Sequence, residues 1–181
     1  MTEWDDTFRI SPLIRLTLHS LYGCLVLPLP LLAYQTNAPV PPAILAVGVG
    51  IGWLVLMAAL SEQVQVNTQG LRVSYARWVP SFWRKGWALA WSNVVALKPR
   101  STGQGGIVYY FVNKAGDARL LPMRIAGFAR FVRYVQKSTD IDTTDVKPLS
   151  QPWMYLILLV LTVFLWLIDG WAAAKIIGVL N

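Results

Sequence analysis

The chain has 181 residues, 55% of them hydrophobic and 14% charged, with a formal net charge of +7. Soluble domains carry about 25% charged residues, so the composition excludes an ordinary soluble domain and points to a membrane protein. The single cysteine, Cys24, excludes an intrachain disulfide and a thiolate metal cluster.

The first 15 residues open with MTEWDDTFRISPL, which is acidic and has no small-residue cleavage site before the first apolar run. They read as a cytoplasmic segment, 1–15, and not as a cleaved signal peptide. Next comes LTLHSLYGCLVLPLPLLAY, residues 16–34, without formal charge. It is long enough for a bilayer core of about 30 Å at about 1.5 Å per residue. Pro28 and Pro30 are expected to kink its far half. An uncharged connector, QTNAPVPP, leads to AILAVGVGIGWLVLMAAL, residues 43–60. Two spans joined this closely make a transmembrane hairpin over 16–60. Gly48, Gly50 and Gly52 give its second helix a small-residue face for close helix contact.

From residue 61 the long apolar runs give way to short alternating ones. QVQVNTQGLRVSYARW alternates on both sides of Asn67-Thr68-Gln69-Gly70, which predicts a hairpin with Gly70 at positive φ. GWALAWSNVVALKPR is the next strand candidate, followed by the loop STGQGG. IVYYFVN and ARLLPM flank Lys114-Ala115-Gly116-Asp117 as a second hairpin. In IAGFARFVRYVQKST, Phe128, Phe131, Val132 and Val135 recur at helical spacing, with Arg130, Arg133 and Lys137 on other faces. The domain is therefore expected over 61–138, with a polar linker, TDIDTTDVKPLSQP, over 139–152.

WMYLILLVLTVFLWLIDGWAAAKIIGVL begins the third transmembrane helix and tail, 153–181, with Trp153 and Tyr155 as interfacial anchors. Asp169 reads as the far interface, together with Gly170 and Trp171. The alternative is an intramembrane carboxylate, which would be functional. The connector at 35–42 has no cation, whereas Arg9, Arg15 and the domain supply many. The positive-inside tendency thus puts the N-terminus and the 61–150 region on the cytoplasmic side.

Chemistry-bearing motifs are few. G-x-S-x-G, the P-loop and H-E-x-x-H are missing, so a non-enzyme with no cofactor and no metal site is expected. His19, the one histidine, could ligate a partner's haem or chlorophyll, or be a polar contact near the interface. Asp140, Asp142 and Asp145 lack the glycine and terminal glutamate of a calcium loop and read as an acidic linker. Gly103, Gly105 and Gly106 have no following helix or lysine, which leaves a hairpin loop in place of a phosphate cradle.

Removing Arg9, Arg15 and Lys175 from the 16 Lys and Arg leaves 13 in the 62–147 region, against Glu62, Asp117, Asp140, Asp142 and Asp145. The densest stretch is RWVPSFWRKGW, 77–87. Arg77, Trp78, Phe82, Trp83, Arg84 and Lys85, with Lys98 and Arg100 further on, are the candidate contacts for a partner or lipid. Trp87 and Trp91 are expected to face the core. Nucleic acid is set aside for want of a recognition motif; anionic lipid headgroups and subunits of a membrane protein complex remain as partners.

VQVNTQGLRVSY, WSNVVAL, VYYFVNKAGDARLLPM and the closing helix, over about 63–138, resemble the bacterial pleckstrin-homology-like domains found beside membrane hairpins. A hairpin followed by a β-domain also resembles the photosystem I assembly factor family of cyanobacteria and plastids. The third span, and VPSFWRKGW in place of a glycine- and basic-rich turn, depart from that family. The expected fold is thus an α+β membrane protein: three transmembrane helices plus a pleckstrin-homology-like antiparallel β-domain capped by one C-terminal helix. The resemblance implies a non-catalytic assembly or accessory factor of a membrane complex, photosynthetic if the second likeness holds and then in the thylakoid with its domain on the stromal side. An anionic-lipid-binding or lipid-sensing module is the alternative.

Overall fold

The computed structural model describes residues 4–101, 103, 107–139, 141–143, 146 and 152–176. Asp140, Asp145, Gly105 and Gly106 of the acidic and glycine-rich stretches lie outside these residues. In chain order the elements are β1 (Asp6–Arg9), α1 (Pro12–Val26), α2 (Pro28–Gln35), α3 (Pro42–Ala59), β2 (Gln63–Val66), β3 (Gly70–Ser74), β4 (Trp87–Ala90), β5 (Val94–Ser101), β6 (Ile107–Asn113), β7 (Ala118–Leu120), α4 (Phe128–Ser138) and α5 (Pro152–Ile176). They form two compact units, Met1–Ser11 with Ser61–Ser150, and Pro12–Leu60 with Gln151–Asn181. The architecture is α+β.

The first unit holds two antiparallel sheets, ordered β1-β2-β3-β4 and β5-β6-β7. The N-terminal segment, read from sequence as separate from the domain, supplies the edge strand β1, with Asp6 opposite Val66 and Phe8 opposite Val64. Four residues carry one inward apolar side chain, too little for a period of two to show, and the hairpin helices separate β1 from its partner in the chain. Phe8 is nonetheless fully buried, its ring edge-on to Phe131 at 5.5 Å between centroids.

The opening hairpin forms as expected, but its turn works differently. Asn67 Oδ1 accepts from the backbone N–H of Gln69 (3.0 Å) and Gly70 (2.9 Å), a side-chain-closed turn. Gly70 does not take positive φ; among the described glycines Gly116 and Gly127 do. Gly70 is needed because the Leu89 carbonyl of β4 occupies the space a Cβ would fill. The 86–100 stretch, expected as one strand, is broken by a 3₁₀ turn at Trp91–Asn93. There the Trp91 indole N–H donates to the Asn67 carbonyl at 2.8 Å and its backbone N–H to the Gln69 carbonyl at 3.0 Å. Trp91 thereby pins the point where the chain passes from the first sheet to the second.

Helix α4 closes the core. Phe128, Phe131 and Val135 are buried along one stripe and Val132 packs beside them, while Arg130, Arg133 and Lys137 are exposed. Gly127, with φ 75°, leads the chain into this helix. Asp6 and Arg130 pair across the β1–α4 junction at 3.0 Å.

The second unit contains three stretches long and apolar enough to cross a membrane: Pro12–Gln35, Pro42–Ala59 and Trp153–Lys175. The first is interrupted at Leu27, one residue before Pro28, as a ring without an N–H demands. Helix α1 packs on α5 through the Thr17 hydroxyl to the Tyr155 carbonyl (3.4 Å) and the Trp166 indole N–H to Ser20 Oγ (3.0 Å). Gly23 leaves room for the Trp166 ring. Tyr22 donates to the Val49 carbonyl of α3 at 2.8 Å and meets Trp53 edge-on. Helix α5 runs unbroken through Asp169, and Lys175 lies 4.7 Å above the Trp171 ring.

Candidate functional site

The segment between β3 and β4 is built as two tight turns. The Val79 N–H donates to the Ala76 carbonyl at 2.9 Å, and the Trp83 N–H to the Pro80 carbonyl at 3.1 Å. Proline at 80 cannot join a ladder, so the chain leaves the sheet here. Val79 alone turns inward and anchors the loop; Trp78 is 51% exposed, Phe82 92% and Trp83 45%. Arg77, Arg84 and Lys85 are exposed beside them. The expected division of the aromatics is present: Trp91 is buried, and Trp87 packs against the core.

At the base of the loop, Tyr75 donates to Glu62 Oε1 at 3.1 Å and the Arg84 guanidinium stands 5.6 Å from its ring centroid. Burial, with the Glu62 charge adding to it, pushes the Tyr75 phenol above its ordinary value. The Ala76 N–H donates to Ser61 Oγ at 3.1 Å. These contacts fix both ends of the segment while its tip stays bare.

Between the loop and the outer face of β3 and β4 runs an open groove of about 590 Å³, lined by Arg72, Ser74, Arg77, Ser81, Arg84 and Trp87 with their neighbours. Among the described residues no carboxylate lines it. Arg72 was not singled out in the sequence, although the alternation Leu71, Arg72, Val73 marks it as the outward residue of a half-buried strand. A second cleft of about 320 Å³ lies between the sheets, with Glu62, Tyr75, Arg84 and Arg124 at its polar side and Leu121 and Met123 among its apolar lining. Arg84 thus lines both hollows.

Lys98 and Arg100 do not join this site. They sit on β5, opposite Tyr110 and Val108, with Arg100 over the Tyr110 ring at 5.7 Å. The three glycines of α3 also separate. Gly52 lies where the Tyr22 side chain packs, whereas nothing comes within 4 Å of the Cβ positions of Gly48 and Gly50.

His19 is held locally. Its Nδ1 donates to the Arg15 carbonyl at 2.7 Å, and its ring meets Trp53 edge-on at 5.3 Å. Cys24 is buried, its thiol 3.2 Å from the Leu21 carbonyl. Asp169 Oδ2 is buried with no hydrogen-bond partner among the described residues. Among those residues, no group of three or more His, Cys, Asp or Glu comes together to hold a metal.

No protein-family model matches the chain. No solved structure matches it either. It is 54% identical over 163 residues to "Uncharacterized protein slr0269" of Synechocystis sp. (strain ATCC 27184 / PCC 6803 / Kazusa), which covers 89% of this chain and 82% of that one. At that identity and coverage, the chain belongs to the family of this cyanobacterial protein.

Proposed function

We propose that the chain is a non-catalytic integral membrane accessory or assembly factor, embedded by three transmembrane helices, whose basic β-domain docks on a larger membrane protein complex. The observation that carries this reading is the loop tip. Trp78, Phe82 and Trp83 stand exposed together with Arg77, Arg84 and Lys85 on a segment whose two ends are fixed. Aromatic residues and arginine are the side chains that dominate protein interfaces when buried there, and a Phe held 92% exposed gains apolar burial only from outside the chain.

Two antiparallel sheets closed by one amphipathic helix support the pleckstrin-homology-like assignment of the domain. The cations of Arg9, Arg15 and the domain, against a connector at 35–42 without any, support a cytoplasmic side for the domain. The cyanobacterial host of the relative is in keeping with a photosynthetic membrane as the location of the complex; if the complex is photosynthetic, the domain is on the stromal side of a thylakoid. On α3, Gly48 and Gly50 are the positions where a partner helix could approach closely.

The experiment is mild-detergent extraction of membranes carrying tagged protein, followed by sizing and identification of what travels with it. The wild-type chain is expected in an assembly with other membrane subunits. A Phe82→Ser, Trp83→Ser variant is expected to remain in the membrane but leave the assembly. A lone chain under several gentle conditions would contradict the proposal. Sidedness is read by labelling Ser81→Cys and Ala38→Cys in sealed vesicles of known orientation: the two positions are expected on opposite faces.

A further inference from the structure

The groove behind the loop asks for a different ligand from the tip in front of it. Arg72 projects from the outer face of β3, Arg77 and Arg84 from the two ends of the loop, and Ser74 and Ser81 add hydroxyls between them. Three arginines and two serines line a hollow of about 590 Å³, with no lining carboxylate among the described residues, so its formal charge is of one sign. Ligand hollows run about 300–1,000 Å³, so this volume suits one small anionic group. Guanidinium forks match the paired oxygens of phosphate or a comparable oxyanion. Arg77 and Arg84 are joined to exposed Trp78 and Trp83 by adjacent positions in the chain. A soluble phosphate has no use for such apolar neighbours; an amphiphile uses both, since indole rings settle at headgroup depth.

We propose that the groove formed by Arg72, Arg77 and Arg84 holds the anionic headgroup of a membrane lipid, with the adjoining Trp78 and Trp83 in contact with its apolar part. This rests on the reading of the chain as membrane-embedded, and it shares Arg77, Arg84, Trp78 and Trp83 with the docking tip, which leaves Phe82 as the exposed aromatic that the docking reading alone uses. Arg84 also tops the Tyr75 ring, whose hydroxyl is held by Glu62. The guanidinium is therefore positioned before any ligand arrives.

The test uses the full chain in neutral detergent, because β1 comes from before the helical hairpin and a fragment starting at residue 61 would lack it. Equal amounts of phosphatidylglycerol and phosphatidylcholine are added, and the lipids retained are counted by native mass spectrometry. The wild-type chain is expected to prefer phosphatidylglycerol. At about 1 kcal/mol per surface cation, a single Arg77→Gln change weakens that preference about fivefold and the Arg72→Gln, Arg77→Gln, Arg84→Gln variant removes it. A Lys98→Gln, Arg100→Gln variant, on β5 outside the groove, keeps it. Loss of preference in both variants would overturn the proposal in favour of general charge attraction. Displacement of the lipid by inorganic phosphate at equal concentration would assign the groove to a soluble anion. Unchanged lipid preference with loss of the larger assembly in the triple variant would assign it to a protein partner. Sizing the same variants in native membranes distinguishes failure here from failure of complex docking: a lipid-deficient triple variant that stays in the assembly supports the headgroup site alone.

Discussion

The two units use the same residue types in opposite ways. In the β-domain Phe8, Val64, Val66, Leu71, Phe111 and Phe131 are sealed from solvent; in the helices Leu16, Ile44, Val47, Leu54 and Leu167 are all more than half exposed. In the most apolar windows of α3 and α5 only 6% of residues are buried within the chain. Burying apolar area is worth about 25 cal/mol per Å², so a chain that folds the first unit by this effect cannot leave the second in water. The domain is stabilised by its own core, and the helices require an apolar medium or partner.

The largest effect that tests this contrast is at Phe8. Phe8→Ala is expected to destabilise the domain by about 3–5 kcal/mol, as for other buried phenylalanines, read from its unfolding transition in detergent. Phe82→Ala, at the bare loop tip, should move the same transition by less than about 0.5 kcal/mol. Equal effects at the two positions would break the account of the domain core.

Trp91→Phe comes next. It leaves the Asn67 carbonyl without its indole donor in a buried position, a cost of about 1–3 kcal/mol. Asn67 also closes the preceding turn, so faster amide exchange at Gln69 and Gly70 should accompany the loss.

A pH effect follows from Tyr134, whose hydroxyl donates to Asp5 Oδ2 at 2.7 Å. Burial first, then the Asp5 hydrogen bond and charge, push its phenol from 10.0 up to about 12. The folded state thus holds this proton more tightly than the unfolded chain does. The contribution is fully present below pH 10 and is lost as pH rises from about 10 to 12, where the unfolded phenol ionises first. Stability measured against pH should show this extra fall in the wild type and lack it in Tyr134→Phe. A small effect is expected at Asp6→Asn: its pair with Arg130 is solvent-accessible on both sides, so the change is about 0–1 kcal/mol.

Much of this division can be read in the chain itself, because each unit has its own period. Uninterrupted apolar runs marked the three long helices to within a few residues, and alternation around Asn67 and Gly116 marked both hairpins. The aromatic split between Trp87, Trp91 and the loop tip was also legible, since a proline and a cation pair separate the strand from the loop. Strand β1 was not, because its pairing partner is more than 50 residues away across three helices (Asp6 opposite Val66) and its signal is one phenylalanine. The break at Trp91 was hidden for another reason: apolar residues continue on both sides of it, and a long-range hydrogen bond decides where the strand ends. The groove was half visible. Its loop cations stood out by density, while Arg72 sits alone in its strand and joins them through sheet pairing with β4.

The most direct measurement of the central proposal is the size of the assembly that carries the tagged chain after mild extraction from its native membrane, compared with the Phe82→Ser, Trp83→Ser variant. The account predicts that the wild-type chain migrates with other membrane subunits and that the variant, still membrane-bound, migrates alone. A wild-type chain that migrates alone, or a variant that stays in the same assembly, would contradict it.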